Sequence, residues 1–220
     1  MSYEADLQSE RGGLAVMLRL SGRRCVVVGG GATGRRRAEA LREAGAEVVL
    51  IDPAGGEDAE TPGLERWRRG YEPGDLAGAF LVVIATDDAA VNERVAGEAS
   101  SRGVLINRAD EPGSGDVTVM AQRRLGPLTV AVDSGQSSAS AAGAIRDEAV
   151  AGVDAVWPGL LAEARPWRAK IQASTSDPGE RRAKLRRLTD ASARRILKDH
   201  GAAALRRHFA EIAGAGPDCA

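Results

Sequence analysis

The residues that could do chemistry here are three spaced glycines, an aspartate downstream of them, and a series of acids and amides at the ends of apolar runs. Gly29, Gly31 and Gly34 stand as G-x-G-x-x-G within Gly29-Gly30-Gly31-Ala32-Thr33-Gly34. The apolar run Cys25 to Val28 leads into them, and a helical stretch to about Ala44 follows. Strand, glycine turn and helix together turn a common pattern into a dinucleotide-binding signature. The first glycine allows a tight turn. The second lets a pyrophosphate approach the backbone, and the third lets the helix pack close to the strand. Ala32 and Thr33 complete the turn, where free N–H groups at a helix start face phosphate. A second apolar run, Val48 to Ile51, ends in Asp52. A carboxylate there accepts hydrogen bonds from an adenosine ribose, which favours NAD over NADP.

Two further apolar runs end in polar groups. Phe80 to Ala85 runs into Thr86-Asp87-Asp88, and Val104 to Ile106 runs into Asn107-Arg108-Ala109-Asp110. In a doubly wound sheet, ligands bind beyond the carboxyl ends of the strands, so both loops are expected to face the crevice of the glycine turn. Asp110 is then either a carboxylate in that crevice or a turn residue, since Asp-x-Pro is a common turn sequence. Arg35-Arg36-Arg37 opens the first helix against its dipole. These arginines are either a solvated face or a reach toward cofactor or anionic substrate. The loop from Asp133 to Ser140 offers hydroxyls and N–H groups to a carboxylate or phosphate, or it is a plain N-cap.

The elements that must position these residues predict an α/β protein. A Rossmann-like parallel sheet comes first, then a small β-containing region, then a helical domain. The expected spans are a flexible N-terminus over 1–13, a nucleotide-binding domain over 14–115, a β region over 116–150 and a basic helical domain over 151–220. Residues 14–20 read as an extra strand or an entry segment, and 53–63 as a loop. Strands are expected at 117–120 and 128–132, with Arg123 to Gly126 connecting them. A helix is expected from about Ala141. Pro158, Pro166 and Pro178 punctuate the helical tail, where 13 Lys/Arg stand against 4 Asp/Glu between Arg165 and His208.

Composition narrows the function. The chain has 220 residues, 43% hydrophobic and 28% charged, with a net charge of −1. That suits one fair-sized domain with an appendage and argues against a general polyanion binder. Cys25 and Cys219 form no C-x-x-C, and the histidines are His200 and His208 alone. No N/S metal site and no disulfide framework is expected. No signal-peptide core and no membrane-length apolar run is seen. The expected location is the cytoplasm.

Taken in order, LAVMLRLSGRR, VVVGGGATGRRRAEAL, VVIATDDAAVN, INRADEP, GPLTVAVDSGQSSASAA and a basic helical tail resemble the siroheme-synthase family of precorrin-2 dehydrogenases. Some of these enzymes are also sirohydrochlorin ferrochelatases. The likeness covers about Leu14 to Val150, and the tail in character. It implies NAD-dependent oxidation of precorrin-2 to sirohydrochlorin, with Fe²⁺ insertion in bifunctional members, on a homodimer whose dimerisation region exchanges strands. By position it implies Asp110 as the catalytic carboxylate and Gly29, Gly30 and Gly31 as the phosphate turn. Thr86, Asp87 and Asp88 become nucleotide contacts, with Asn107 beside them, and Ser134 a substrate contact. The substrate is rich in carboxylates, for which Arg108, Arg123 and Arg124 are the expected partners. The chain departs from the family's pattern at Arg108-Ala109, at Val117 and Met120, and in the loop at Gln136 and Ala139.

Two other readings compete. A non-catalytic NAD-binding regulatory module shares the glycine turn, the acid and a strand ending T-x-[DE]-x-x-N. It predicts further regular βα units after Asp110, where this chain turns to a hairpin. A nucleic-acid binder would use the basic tail, against which stand the near-zero net charge and only seven aromatics.

Overall fold

The computed structural model describes residues 13–54, 62–111, 113–135 and 137–214. The expected flexible terminus lies outside these residues apart from Gly13, as do the middle of the 53–63 loop, Gln136 and Cys219. The chain divides into two compact units at Val119 and Met120.

The first unit contains β1 (Arg24–Val28), α1 (Ala32–Glu43), β2 (Glu47–Ile51), β3 (Leu64–Trp67), β4 (Leu81–Ile84), α2 (Ala89–Arg102) and β5 (Leu105–Arg108). Its five strands form one parallel sheet in the order β3-β2-β1-β4-β5. Near-continuous Val/Ile/Leu runs suit such strands because both faces are covered. Val26, Val28, Val49, Ile51, Val82 and Ile84 pack on one face with Val95 and Ala99 of α2. Cys25, Val27, Val48, Leu50, Leu81 and Val83 pack on the other with Ala38 and Leu41 of α1. Each buried Val, Leu or Ile among them contributes about 1.5–3 kcal/mol. Cys25 is one of these core fillers, and burial pushes its thiol up to about 11, so it stays protonated and unreactive.

Residues 14–20 form no strand and lead into β1, with Leu14, Val16 and Met17 exposed and Leu20 buried. The β3–β4 linker is pinned by Arg69, which donates to both oxygens of buried Asp75 at 2.7 Å.

Residues 117–120, expected as a strand, make none. Side chains take the places a ladder would use along β5. The Ile106 N–H donates to Asp116 Oδ2 at 3.1 Å, and Asn107 Nδ2 donates to the Val117 carbonyl at 2.6 Å. One main-chain bond remains, Val117 N–H to the Ile106 carbonyl at 3.0 Å. A Cβ on Gly115 would lie 2.6 Å from that same carbonyl.

The second unit opens with an antiparallel hairpin, β6 (Ala121–Leu125) and β7 (Leu128–Val132). Arg123 and Arg124 therefore lie within β6 rather than in the connection, opposite Val130 and Thr129. The connection is Gly126-Pro127, with Gly126 at φ 58°. A two-residue hairpin needs positive φ at its first central position, and glycine supplies it. Then come α3 (Ala139–Ala151), α4 (Val156–Ser174), α5 (Pro178–Arg187) and α6 (Ala191–Ala213). Pro158 and Pro166 do not end helices: both lie inside α4. Pro158 sits in the first turn, where an N–H has no intrahelical partner anyway. Pro166 is carried by tertiary packing, since Leu160, Ala164, Trp167 and Ile171 bury one stripe of α4 against Leu205, Phe209 and Ile212 of α6. Pro178 does start α5, behind the Asp177 cap. No described helix is long and apolar enough to cross a membrane.

Inside α6 the backbone breaks at Gly201, with φ 76° and ψ 179°. Only glycine populates that region readily, and strain there costs about 1–3 kcal/mol. Gly201→Ala should therefore destabilise the protein by about that amount. Thermal unfolding followed by circular dichroism checks it, and an unchanged Tm would mean the break is not held in solution.

Candidate functional site

The sheet order reverses between β1 and β4, the place where doubly wound folds bind ligands. The glycine turn lies there. Gly29 has φ 105°, and a Cβ on it would stand 2.4 Å from the Ala85 carbonyl oxygen. Gly34 is the first buried residue of α1, and a Cβ on it would stand 1.8 Å from the Gly29 carbonyl. Gly30 closes on Asp52, whose Oδ2 would lie 2.1 Å from a Gly30 Cβ. At Gly31 no protein atom lies within 4 Å of an added Cβ. Three glycines thus serve protein packing, and Gly31 alone leaves its side open outward.

The two helices of this unit differ at their starts. On α2 the Asp88 carboxylate accepts from the Ala90 and Val91 N–H groups at 2.9 and 3.1 Å. On α1 the N-cap is Gly31 and no side chain caps it. Helix-start N–H groups need an acceptor, and an uncapped glycine start is what a pyrophosphate fits. The residues present therefore suit a dinucleotide. The Gly29–Gly34 turn, with Ala32 and Thr33, would hold its phosphates, and Asp52 its ribose.

Asp52 follows β2, and its Oδ1 accepts from Ala54 N–H at 3.2 Å. It lines a shallow, open hollow with Gly30, Arg35, Arg66, Trp67 and Arg68. Arg35 folds back on the turn, its Nε donating to the Gly30 carbonyl at 2.7 Å. Of the three arginines that open α1, this one reaches the crevice. Arg37 is half-buried, and burial followed by the charge of Arg36 lowers its pKa.

Thr86, Asp110 and a residue not singled out from the sequence, Asn92, form one network. Asn92 is buried on the first turn of α2. Its Oδ1 accepts from the Thr86 hydroxyl at 2.5 Å. Its Nδ2 donates to the Thr86 carbonyl and to Asp110 Oδ2, both at 3.0 Å. One carboxamide thereby ties the loop after β4 to the acid after β5. Asn92 is the last letter of the ATDDAAVN run, and its chemistry is legible there only once Thr86 and Asp110 are known to flank it.

Asp110 also accepts from Arg108, whose Nε reaches Oδ1 at 3.0 Å and whose Nη2 reaches Oδ2 at 2.8 Å. Burial pushes the carboxyl up, but the hydrogen bonds and charge of Arg108, with main-chain N–H groups of Asp110 and Glu111, outweigh it and hold the group below the usual range. Asp110 is therefore ionised at neutral pH. The same pairing raises the pKa of Arg108. Of the other expected residues, Asn107, Arg123 and Ser134 have internal partners. The Asn107 amide is spent on Val117, with its Oδ1 buried and unpartnered. Asp87 is exposed, one residue from the α2 cap. In the second unit, Arg123 lies 3.3 Å from Asp147, and Arg124 is exposed on β6. Ser134 Oγ donates to the Ser138 carbonyl at 3.0 Å, and Ser138 caps α3.

A Rossmann-type sheet with a glycine turn at its switch point defines a dinucleotide-binding protein. Residues 16–121 match the family model described as "Putative NAD(P)-binding", which makes the cofactor class a nicotinamide dinucleotide. Siroheme synthase of Azotobacter vinelandii is 34% identical over 203 residues, 90% of this chain and 44% of that protein. Siroheme synthase of Pseudomonas aeruginosa is 31% identical over 218 residues, 90% of this chain and 47% of that protein. The solved structure of SirC, precorrin-2 dehydrogenase, superposes with a TM-score of 0.70 at 22% identity, over 90% of this chain and 100% of that one. Over most of its length this chain is similar to siroheme synthases. It spans less than half the length of those siroheme synthases.

The geometry sets two expectations. Gly34→Ala forces the turn apart at the Gly29 carbonyl, and should weaken dinucleotide binding at least tenfold by calorimetric titration. Asn92→Ala leaves Asp110 without its α2 donor and the Thr86 carbonyl without its side-chain donor. Losing such buried hydrogen bonds costs about 1–3 kcal/mol, to be read as a lowered midpoint of urea unfolding.

Proposed function

We propose that this protein binds NAD and oxidises precorrin-2 to sirohydrochlorin in siroheme biosynthesis. The observation that carries the reading is the Thr86–Asn92–Asp110 network, which fixes one ionised carboxylate to the loop beside the glycine turn. The siroheme synthase homology and the likeness to the precorrin-2 dehydrogenase structure support it. When bound, NAD⁺ supplies the hydride acceptor. Asp110 takes the proton that the substrate loses as the hydride leaves, which a carboxylate within reach does as a general base. Asn92 orients that carboxylate. Asp52 receives the adenosine ribose, which favours NAD over NADP. Thr86, Asp87, Asp88 and Asn107 complete the nucleotide side, through main chain where their side chains are already engaged. Arg108, Arg123, Arg124 and Ser134 contact the substrate's carboxylates.

The same reading extends to assembly and to iron. Residues 116–150 serve as the dimerisation region of a homodimer, 14–115 as the NAD domain and 151–220 as the helical domain, in the cytoplasm. Fe²⁺ is a second substrate if sirohydrochlorin is metallated on the same protein, with Asp110 again removing protons. A regulatory NAD module is disfavoured by the β6–β7 hairpin that follows β5 in place of another βα unit.

Purified protein, precorrin-2 and NAD⁺ mixed anaerobically should yield NADH and the sirohydrochlorin spectrum. Asp110→Asn should lose about 10²–10⁴-fold in kcat, with NAD⁺ affinity retained. NADP⁺ in place of NAD⁺ should lower kcat/KM at least tenfold. No NADH despite measured NAD⁺ binding would sink the enzyme reading in favour of the regulatory one.

A further inference from the structure

The base proposed above is covered. A carboxylate offers about four acceptor positions. At Asp110 the Arg108 guanidinium spans both oxygens, Nε at 3.0 and 3.2 Å and Nη2 at 2.8 Å from Oδ2. Asn92 holds Oδ2 at 3.0 Å, and the main-chain N–H groups of Asp110 and Glu111 also favour the charged carboxylate. A proton leaving a substrate carbon or nitrogen needs one of those positions. Asn92 cannot give way cheaply, since it is 3% exposed and held by Thr86. Arg108 can.

Its surroundings say where it would go. Arg108 Nη2 lies 3.0 Å from Glu93 Oε1 of α2 and 3.3 Å from Glu111 Oε2 of the following loop, besides 2.8 Å from Asp110 Oδ2. The Asp110 and Arg108 side chains are 14% and 9% exposed, whereas those of Glu93 and Glu111 are 70% and 65% exposed. One guanidinium thus has an inner carboxylate partner and two outer ones. Charge is not balanced in this cluster, since three carboxylates share one arginine. Exchanging one arginine–carboxylate pair for another keeps the charge-assisted hydrogen bonds, whereas simple loss of the pair would strand a buried charge.

We propose that Arg108 is a releasable lock on Asp110: it covers the carboxylate in the resting protein, and a carboxylate of the bound substrate draws the guanidinium outward, opening Asp110 to receive the proton. The proposal rests on Asp110 being the base in the reading above. In the unlocked state Asp110 keeps Asn92. Arg108 then pairs with the substrate acid, with Glu93 and Glu111 in reach. The proton that Asp110 accepts comes from the substrate and returns to solvent after turnover. Arg108 is thereby both substrate contact and positioning residue, and an unliganded protein keeps its base out of use.

Among the described residues, Arg108 of β5 and Asn92 of α2 lie on the Asp110 carboxylate, the main-chain N–H groups of Asp110 and Glu111 act on it, and the Glu93 and Glu111 carboxylates share the same guanidinium. Removing Arg108 takes away the cation that these three carboxylates share, which favours the protonated form of Asp110. The test follows the Asp110 carboxyl ¹³C signal against pH in unliganded wild type and Arg108→Gln, assigned with Asp110→Asn. Its titration should move to higher pH by about one to three units in Arg108→Gln. The probe for release is uroporphyrin, a polycarboxylate tetrapyrrole with no hydride to give. At saturation, judged by its bound visible spectrum, it should move the wild-type signal toward that of Arg108→Gln and leave the variant's signal in place. The acid limb of kcat/KM should likewise shift upward in Arg108→Gln, because that limb reports the free enzyme's base.

A carboxyl that titrates identically in wild type and variant overturns the lock. A porphyrin that fails to bind, or binds without moving the wild-type signal, overturns the release. Arg108→Lys guards against a folding artefact, since it keeps the charge and should titrate near wild type. If the signals behave as stated and yet precorrin-2 yields no NADH, the lock stands and the dehydrogenase reading is what fails.

Discussion

The first unit depends on close backbone approach at the point where the sheet order reverses. At Gly29, Gly30 and Gly34 a single added carbon would collide with Ala85, Asp52 and Gly29 respectively. These contacts hold the start of α1 against the ends of β1, β2 and β4 at once. Gly31, between them, meets nothing. The turn is therefore rigid because of three glycines and receptive because of the fourth. The close-packing role that the pattern gives its third glycine is shared here by Gly29 and Gly30.

The neighbouring helix starts answer one electrostatic need by opposite means. Asp88 neutralises the start of α2 from within the chain, while α1 is left for an external anion. A carboxylate capping α2 also frees Asn92, one turn further on, to face Thr86 and Asp110. Its carboxamide has its acceptor end fixed by the Thr86 hydroxyl, so its donor end points at Asp110. Orientation of the acid is thus inherited from the loop after β4, next to the glycine turn, rather than from the strand that carries it.

Much of this was legible in the chain. The buried Val/Ile/Leu runs, the glycine spacing and Asp52 led to the correct sheet, because a parallel strand buried on both faces leaves a continuous apolar run. The hairpin was misplaced because its first strand, Ala121–Leu125, holds Gln122, Arg123 and Arg124 and has no apolar run. Val117 to Met120 had the strand-like composition, yet side-chain hydrogen bonds from Asn107 and to Asp116 displaced the ladder. Pro158 and Pro166 misled for a different reason. A local rule about helix ends was overridden by a buried stripe that runs the length of α4. The partners of Arg108 were not legible at all, since three acids spread from Glu93 to Glu111 converge only when α2 lies beside β5.

The segment beside β5 also bears on how copies of this chain can join. An edge strand with open N–H and C=O groups invites pairing with another chain. On β5 the central groups are already used, the Ile106 N–H by Asp116 and its carbonyl by Val117, with Gly115 pressed against that carbonyl. An incoming strand would have to peel this clasp away before forming its first bond. At Ile106 that edge is protected by hydrogen bonding rather than by surface charge, at the level of the main chain.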